Sequence, residues 1–126
     1  ISLVNRYAME TGLLDQCLMH GITPIAWSPL KGGLLGDGYR PTESDCRQYP
    51  TLPELLRVLD EIAGAHGTAR SVIALSWLLK HPAKILPIVG SINPERIRRF
   101  TEADNVELTR EEWYKLLLAA RGEPLP

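Results

Sequence analysis

Short apolar segments alternate with well-punctuated helices along this chain, and that alternation limits the fold more than any other feature. The segments are Ile1–Val4, Ile22–Trp27 and Ile85–Val89. Each is rich in β-branched or aromatic residues and bounded by polar or turn residues, the pattern of a short buried strand. Pro24 and Pro87 each remove a ladder donor and count against central positions. Strand-helix-strand spacing of this kind implies parallel strands joined by right-handed crossovers, the α/β class.

The helices announce their ends. Leu13 to His20 reads as a helix closed by Gly21. Thr51-Leu52-Pro53-Glu54 reads as a capping box with proline in the first turn. Behind it Leu55, Val58, Leu59, Ile62 and His66 share one face, until Gly64 and Gly67 weaken and end the helix. Thr68 is placed to cap the next, with Val72, Leu75, Ser76 and Leu79 on one face and His81-Pro82 as the stop. Asn93-Pro94-Glu95 supplies a cap, a proline and an acid in the right order. Thr109-Arg110-Glu111-Glu112 is another capping box, leading to Trp113, Leu116, Leu117 and Ala120 before Gly122.

Three parallel strands with helices on one side leave two unpaired edges and an uncovered face. A barrel or doubly wound sheet needs more strands than 126 residues supply here, and the first residue is Ile1 rather than methionine. The expectation is one domain segment over 1–126, part of a larger sheet. An associated or swapped oligomer would also complete it.

Composition narrows the function classes. The 14 basic and 15 acidic residues give a formal charge of -1, which argues against a nucleic-acid binder working through bulk positive charge. No apolar run reaches the roughly 18 residues of a membrane span, and no basic-then-apolar signal segment opens the chain. Cys17 and Cys46 lack CxxC spacing; Cys17 is expected on an apolar helix face and Cys46 in a polar loop. Two isolated cysteines suit a reducing cytosol. His20, His66 and His81 lack ligand spacing and fall near helix ends, where capping or dipole roles are expected rather than metal binding.

Ligands of parallel α/β folds bind at the carboxyl ends of the strands. Two unusual loops fall there. Trp27-Ser28-Pro29-Leu30-Lys31-Gly32-Gly33-Leu34-Leu35-Gly36 combines three glycines, a hydroxyl, a cation and an indole. Its amides are candidates for an anion nest, although glycine-rich turns are mostly only turns. Gly90-Ser91-Ile92-Asn93-Pro94-Glu95-Arg96-Ile97 leaves a strand and enters a capped helix. Amides and the positive helix end converge there, and Arg96 can reach back with a forked donor. Together the two loops point to a phosphate-bearing ligand.

The order Ile1-Ser2-Leu3-Val4-Asn5-Arg6, Trp27-Ser28-Pro29-Leu30 with its glycines, and Ile88-Val89-Gly90-Ser91-Ile92-Asn93-Pro94-Glu95-Arg96-Ile97 resembles the C-terminal part of an aldo-keto reductase. Leu108-Thr109-Arg110-Glu111-Glu112-Trp113-Tyr114 is similar to the closing helix of the bacterial members. The resemblance covers essentially the whole chain. It implies the last three βα units and a closing helix of a TIM (β/α)8 barrel that reduces a small carbonyl substrate with NADPH. Trp27 matches the aromatic that stacks on the nicotinamide, a task suited to a flat indole. Ser28, Pro29, Leu30 and Gly33 match the loop along the pyrophosphate. Gly90, Ser91, Asn93 and Arg96 match the site of the adenosine ribose and its 2'-phosphate.

Two positions depart from the family pattern. An acid or amide followed by Asn is usual shortly after the arginine, and Arg99 and Phe100 stand there. Arg99 can add to a phosphate clamp or simply be solvated, while Phe100 falls with Ile97 and Ala103 on a face expected to be core. The family's catalytic Asp, Tyr, Lys and His all match positions upstream of Ile1, as does the glutamine that contacts the nicotinamide amide. Tyr7, Tyr39, Tyr49 and Tyr114 are not spaced to replace the Tyr, so this chain alone is expected to be inactive. The competing expectation is a non-catalytic remnant or interaction module that completes its sheet with a partner.

Overall fold

A computed structural model describes residues 1–125. Leu13–His20 forms a helix that ends at Gly21, whose left-handed backbone (φ 65°) lets Ile22 N donate to Cys17 O at 2.8 Å. We label it α2, after a single turn α1 at Tyr7–Glu10. The remaining helices are α3 (Glu43–Gln48), α4 (Leu52–His66), α5 (Arg70–Leu79), α6 (Pro94–Thr101) and α7 (Arg110–Arg121).

Helices α4, α5 and α7 build the core. Leu55, Leu59 and Ile62 of α4 meet Ile73, Trp77 and Leu78 of α5 and Leu116 of α7, all buried. The apolar spacing read along α4 is the face that packs. α5 is buried along almost its whole length, so its own apolar stripe is broader than the one read from the sequence. No helix of the described residues is long and apolar enough to cross a membrane.

Two strands lie beside these helices. β1 (Ile25–Ala26) and β2 (Leu86–Pro87) pair in parallel, Ile25 opposite Leu86 and Ala26 opposite Pro87. Both prolines are tolerated for a local reason. Leu86 and Ile88 are the donors of β2, to Pro24 O at 2.9 Å and Ala26 O at 3.0 Å. Pro87 therefore lacks an N–H on the edge where β1 does not need one, and Pro24 serves only as an acceptor. Ala26 and Ile85 are buried, whereas Ile25, Trp27, Leu86 and Ile88 stand exposed on the other face.

Several expectations are corrected. Ile1–Val4 is not a strand. The chain doubles back there, with reciprocal Ser2 and Asn5 backbone bonds of 3.0 Å in an isolated antiparallel bridge. Thr51 does not cap α4, because its own backbone is already helical (φ -82°, ψ -9°) and its hydroxyl donates instead to Ala120 O at 3.0 Å. Thr68 does not cap α5; Ala69 holds the cap position and the Thr68 hydroxyl donates to Glu102. Cys46 lies in α3 rather than in a loop, where Thr42 and Asp45 form a capping box. Tyr7 opens α1. Cys17 is half-buried rather than buried, and both thiols are free.

Candidate functional site

The carboxyl ends of β1 and β2 open into one groove of about 800 Å³. β1 runs directly into the glycine-rich loop. Ser28, Lys31, Gly32 and Gly33 all take positive φ (51°, 48°, 62° and 100°), curling the chain into a short 3-10 turn at Lys31–Gly33. At Gly33 this backbone is far outside what a side-chain-bearing residue adopts readily. Pro29 is buried beneath the turn, and Trp27, 78% exposed, projects from its start.

This turn is less of an anion nest than its glycines suggest. Lys31 N donates to Ser28 O at 2.9 Å, Gly33 N to Leu30 O at 3.0 Å and Gly36 N to Gly33 O at 2.8 Å. Those amides are occupied inside the loop. Among the described residues, the Ser28, Leu30 and Gly32 amides have no backbone acceptor.

β2 leads into the second loop and α6. Asn93 caps α6, its Oδ1 accepting from Glu95 N at 2.9 Å and Arg96 N at 3.2 Å, while Ser91 Oγ accepts from Asn93 N at 3.2 Å. Two of the helix-end amides are thus taken by the cap. The Gly90, Ser91 and Ile92 amides have no backbone acceptor among the described residues.

Most of the residues expected to act together do meet. The first loop contributes Trp27, Ser28, Pro29, Leu30 and Gly33 to the groove wall, and the second contributes Gly90, Ser91 and Arg96. Asn93 is not on that wall; its side chain orders the turn that presents Arg96. Phe100 packs against the small core of Val72, Leu75 and Ala103 as expected, yet one side of it also faces the groove.

Asp37, Tyr39 and Ser71 complete the wall and were not foreseen. Their placement depends on Arg70, a buried arginine at the start of α5. It grips Asp60 with Nε at 2.7 Å and Nη2 at 2.6 Å, and its Nη1 donates to Gly36 O at 3.0 Å and Tyr39 O at 2.8 Å. One guanidinium thereby pins both ends of the 36–39 segment to the helices. An arginine opening a largely apolar helix, Arg70-Ser71-Val72-Ile73-Ala74-Leu75, is the sequence signal that could have found it.

Charge in the groove is concentrated at α6. Arg96 and Arg99 line it, and Arg99 Nη1 pairs with Asp37 Oδ2 at 3.2 Å. Burial pushes the Asp37 carboxyl up, but the Ser71 amide at 2.8 Å and Arg99 more than offset it and hold the pKa below the ordinary carboxylate value. Tyr39 donates its phenol to Asp45 Oδ2 at 2.7 Å, and that bond raises its pKa. No group of three or more His, Cys, Asp or Glu side chains among the described residues is arranged to hold a metal ion.

The model of the aldo/keto reductase family matches residues 1–117. This chain belongs to that family. Among curated aldo/keto reductase relatives, 6-dehydroglucose reductase of Novosphingobium aromaticivorans is 44% identical over 117 residues, covering 93% of this chain and 36% of the relative. Oxidoreductase YdhF of Escherichia coli K12 is 35% identical over 127 residues, covering 100% of this chain and 39% of that protein. The crystal structure of Tm1743, a thermostable aldo-keto reductase solved with the inhibitor epalrestat, superposes with a TM-score of 0.75 at 28% identity. That match covers 94% of this chain and 37% of Tm1743. The chain therefore spans well under half the length of the aldo/keto reductases it matches, and it corresponds to their C-terminal part.

Proposed function

We propose that this chain is the NADPH-binding portion of a carbonyl reductase, comprising the last βα units and closing helix of a (β/α)8 barrel. The observation that carries this reading is the convergence of both strand-end loops on one groove lined by an exposed indole and two arginines. A dinucleotide is a flat ring joined through phosphates to a second nucleoside, and these residues suit its parts. Trp27 offers a broad apolar surface for the ring. The amides of Ser28, Leu30 and Gly32, which have no backbone acceptor, are donors available to a pyrophosphate. Ser91 and Arg96 offer a hydroxyl and a forked cation to a ribose phosphate.

NADPH supplies the hydride; this chain's residues bind, orient and shield. Trp27 would orient the ring toward the acceptor carbonyl, and Arg96 would hold the phosphate of the second nucleoside. The proton donor to the carbonyl belongs to the part of the barrel outside residues 1–126. The exposed Ile25, Leu86 and Ile88 form the sheet face that the rest of that barrel would cover. Two free thiols fit a cytosolic setting.

The acceptor is an aldehyde or ketone, with 6-dehydroglucose as the first candidate because the 44% identical relative carries that name. The test is NADPH oxidation by the protein expressed from its complete reading frame, against 6-dehydroglucose and a broad carbonyl panel. Turnover with any of them supports the reading. A folded protein that binds no nucleotide and assembles as a discrete oligomer through its open sheet favours an interaction module instead.

A further inference from the structure

Arg99 stands where the resembling family usually has an acid or amide, and the structure gives it a specific neighbour. It lies three residues after Arg96 on α6, so the two guanidinium groups share one helical face, and both line the groove. Its Nη1 reaches across to Asp37 Oδ2 at 3.2 Å, joining α6 to the loop that follows β1.

The pair is loosely held. The Arg99 side chain is 50% exposed and that of Asp37 32%, so solvent screens their attraction. Asp37 also has a second donor, since Ser71 N donates to its other oxygen at 2.8 Å. Its charge stays hydrogen-bonded when Arg99 leaves. A phosphate dianion offers Arg99 more charge and a matching set of oxygens for its planar fork than one shared carboxylate does.

We propose that Arg99 is a specificity-determining cation of this groove. A phosphate on the ribose of the bound dinucleotide draws Arg99 from Asp37, and a dinucleotide without that phosphate leaves the Asp37–Arg99 bridge in place. This inference rests on the reading of the groove as a dinucleotide site. Arg96 is the primary anchor, and Arg99 adds discrimination between the phosphorylated and unphosphorylated cofactor. Asp37 is a positioning residue that holds the guanidinium over the groove while also competing for it.

Calorimetric titration of NADPH and NADH into the protein expressed from its complete reading frame tests this. In R99Q the affinity for NADPH falls about tenfold while that for NADH stays within about twofold. In D37N, whose amide oxygen can still accept from Ser71 N, NADPH binds about threefold more tightly and NADH is unchanged. Circular dichroism of each variant confirms that the fold is retained. Wild-type protein that binds NADPH, with R99Q binding it equally well or losing both cofactors by the same factor, overturns this proposal alone. Wild-type protein that binds neither nucleotide overturns the groove reading together with it.

Discussion

Trp77 and Trp113 are bonded to each other twice. Trp77 Nε1 donates to Trp113 O at 3.1 Å and Trp113 Nε1 donates to Trp77 O at 2.9 Å, while their rings stack with centroids 5.0 Å apart and 12° between planes. α5 and α7 are thus joined by apolar stacking and by full satisfaction of both indole donors. Truncating Trp77 leaves a large cavity, and truncating either ring removes a hydrogen bond to the other helix's backbone. Trp77→Ala is expected to cost about 3–5 kcal/mol of stability in urea denaturation, because Trp77 is wholly buried. The near-ultraviolet circular dichroism of the pair should vanish in either Trp77→Ala or Trp113→Ala, and the double variant should cost less than the sum of the singles.

Arg70 predicts a more local effect. Replacing it with Met keeps the aliphatic stem but removes the donors to Asp60, Gly36 O and Tyr39 O. Asp60 is 55% exposed and regains water, so the stranded carboxylate costs little. The loss is expected to be about 2 kcal/mol, mostly from the two half-buried carbonyls. Hydrogen exchange should speed up at residues 36–39 well before the helices respond.

His81 sets the first acid-sensitive step. Burial lowers its pKa, opposed by the charge of Asp15, and Ala83 N donates to its Nδ1 at 3.1 Å, which requires that nitrogen to be unprotonated. The unfolded chain takes up the proton near the ordinary value of about 6.5, before the folded one does. Stability from His81 is therefore present above that pH and lost as pH falls below it. Asp37, Asp45 and Glu112, all held below their ordinary values, add a second loss once pH falls below about 4. Thermal melts across this range should show both steps, and His81→Gln should remove only the first.

Gly122 ends α7 with a left-handed backbone, φ 75°, and a Cβ built there would lie 2.6 Å from Thr51 Cγ2. Gly122→Ala is expected to cost about 1–2 kcal/mol, from backbone strain plus the collision. Adding Thr51→Ser removes the offending methyl while keeping the hydroxyl bonded to Ala120 O, and should recover part of the loss in the same urea assay.

What could be read from the residues was what local chemistry decides. Gly21 and Gly122 as helix stops, Asn93 as the α6 cap and the Thr109–Glu112 box on α7 all act as their types dictate. Where a long-range partner competes, the local reading fails. Thr51 is recruited by Ala120 O and Thr68 by Glu102, neither of which can be inferred from neighbouring residues. The apolar run Ile1–Val4 has strand composition but closes on itself through Ser2 and Asn5. The groove was legible through its two loops. Its third wall was not, because Asp37 and Tyr39 are held there by Arg70 from an element more than thirty residues away.

Trp27 offers the most direct test of the central claim. Its indole is exposed at the groove, whereas Trp77 is buried and Trp113 stacks on it, partly buried, so emission from the solvent-exposed tryptophan reports on this site. Titrating NADPH into the protein from its complete reading frame should quench that emission saturably, and Trp27→Phe should remove the quenched component while leaving the core signal. Emission that does not change with NADPH, confirmed by an absence of binding heat, would show that the groove is not a dinucleotide site.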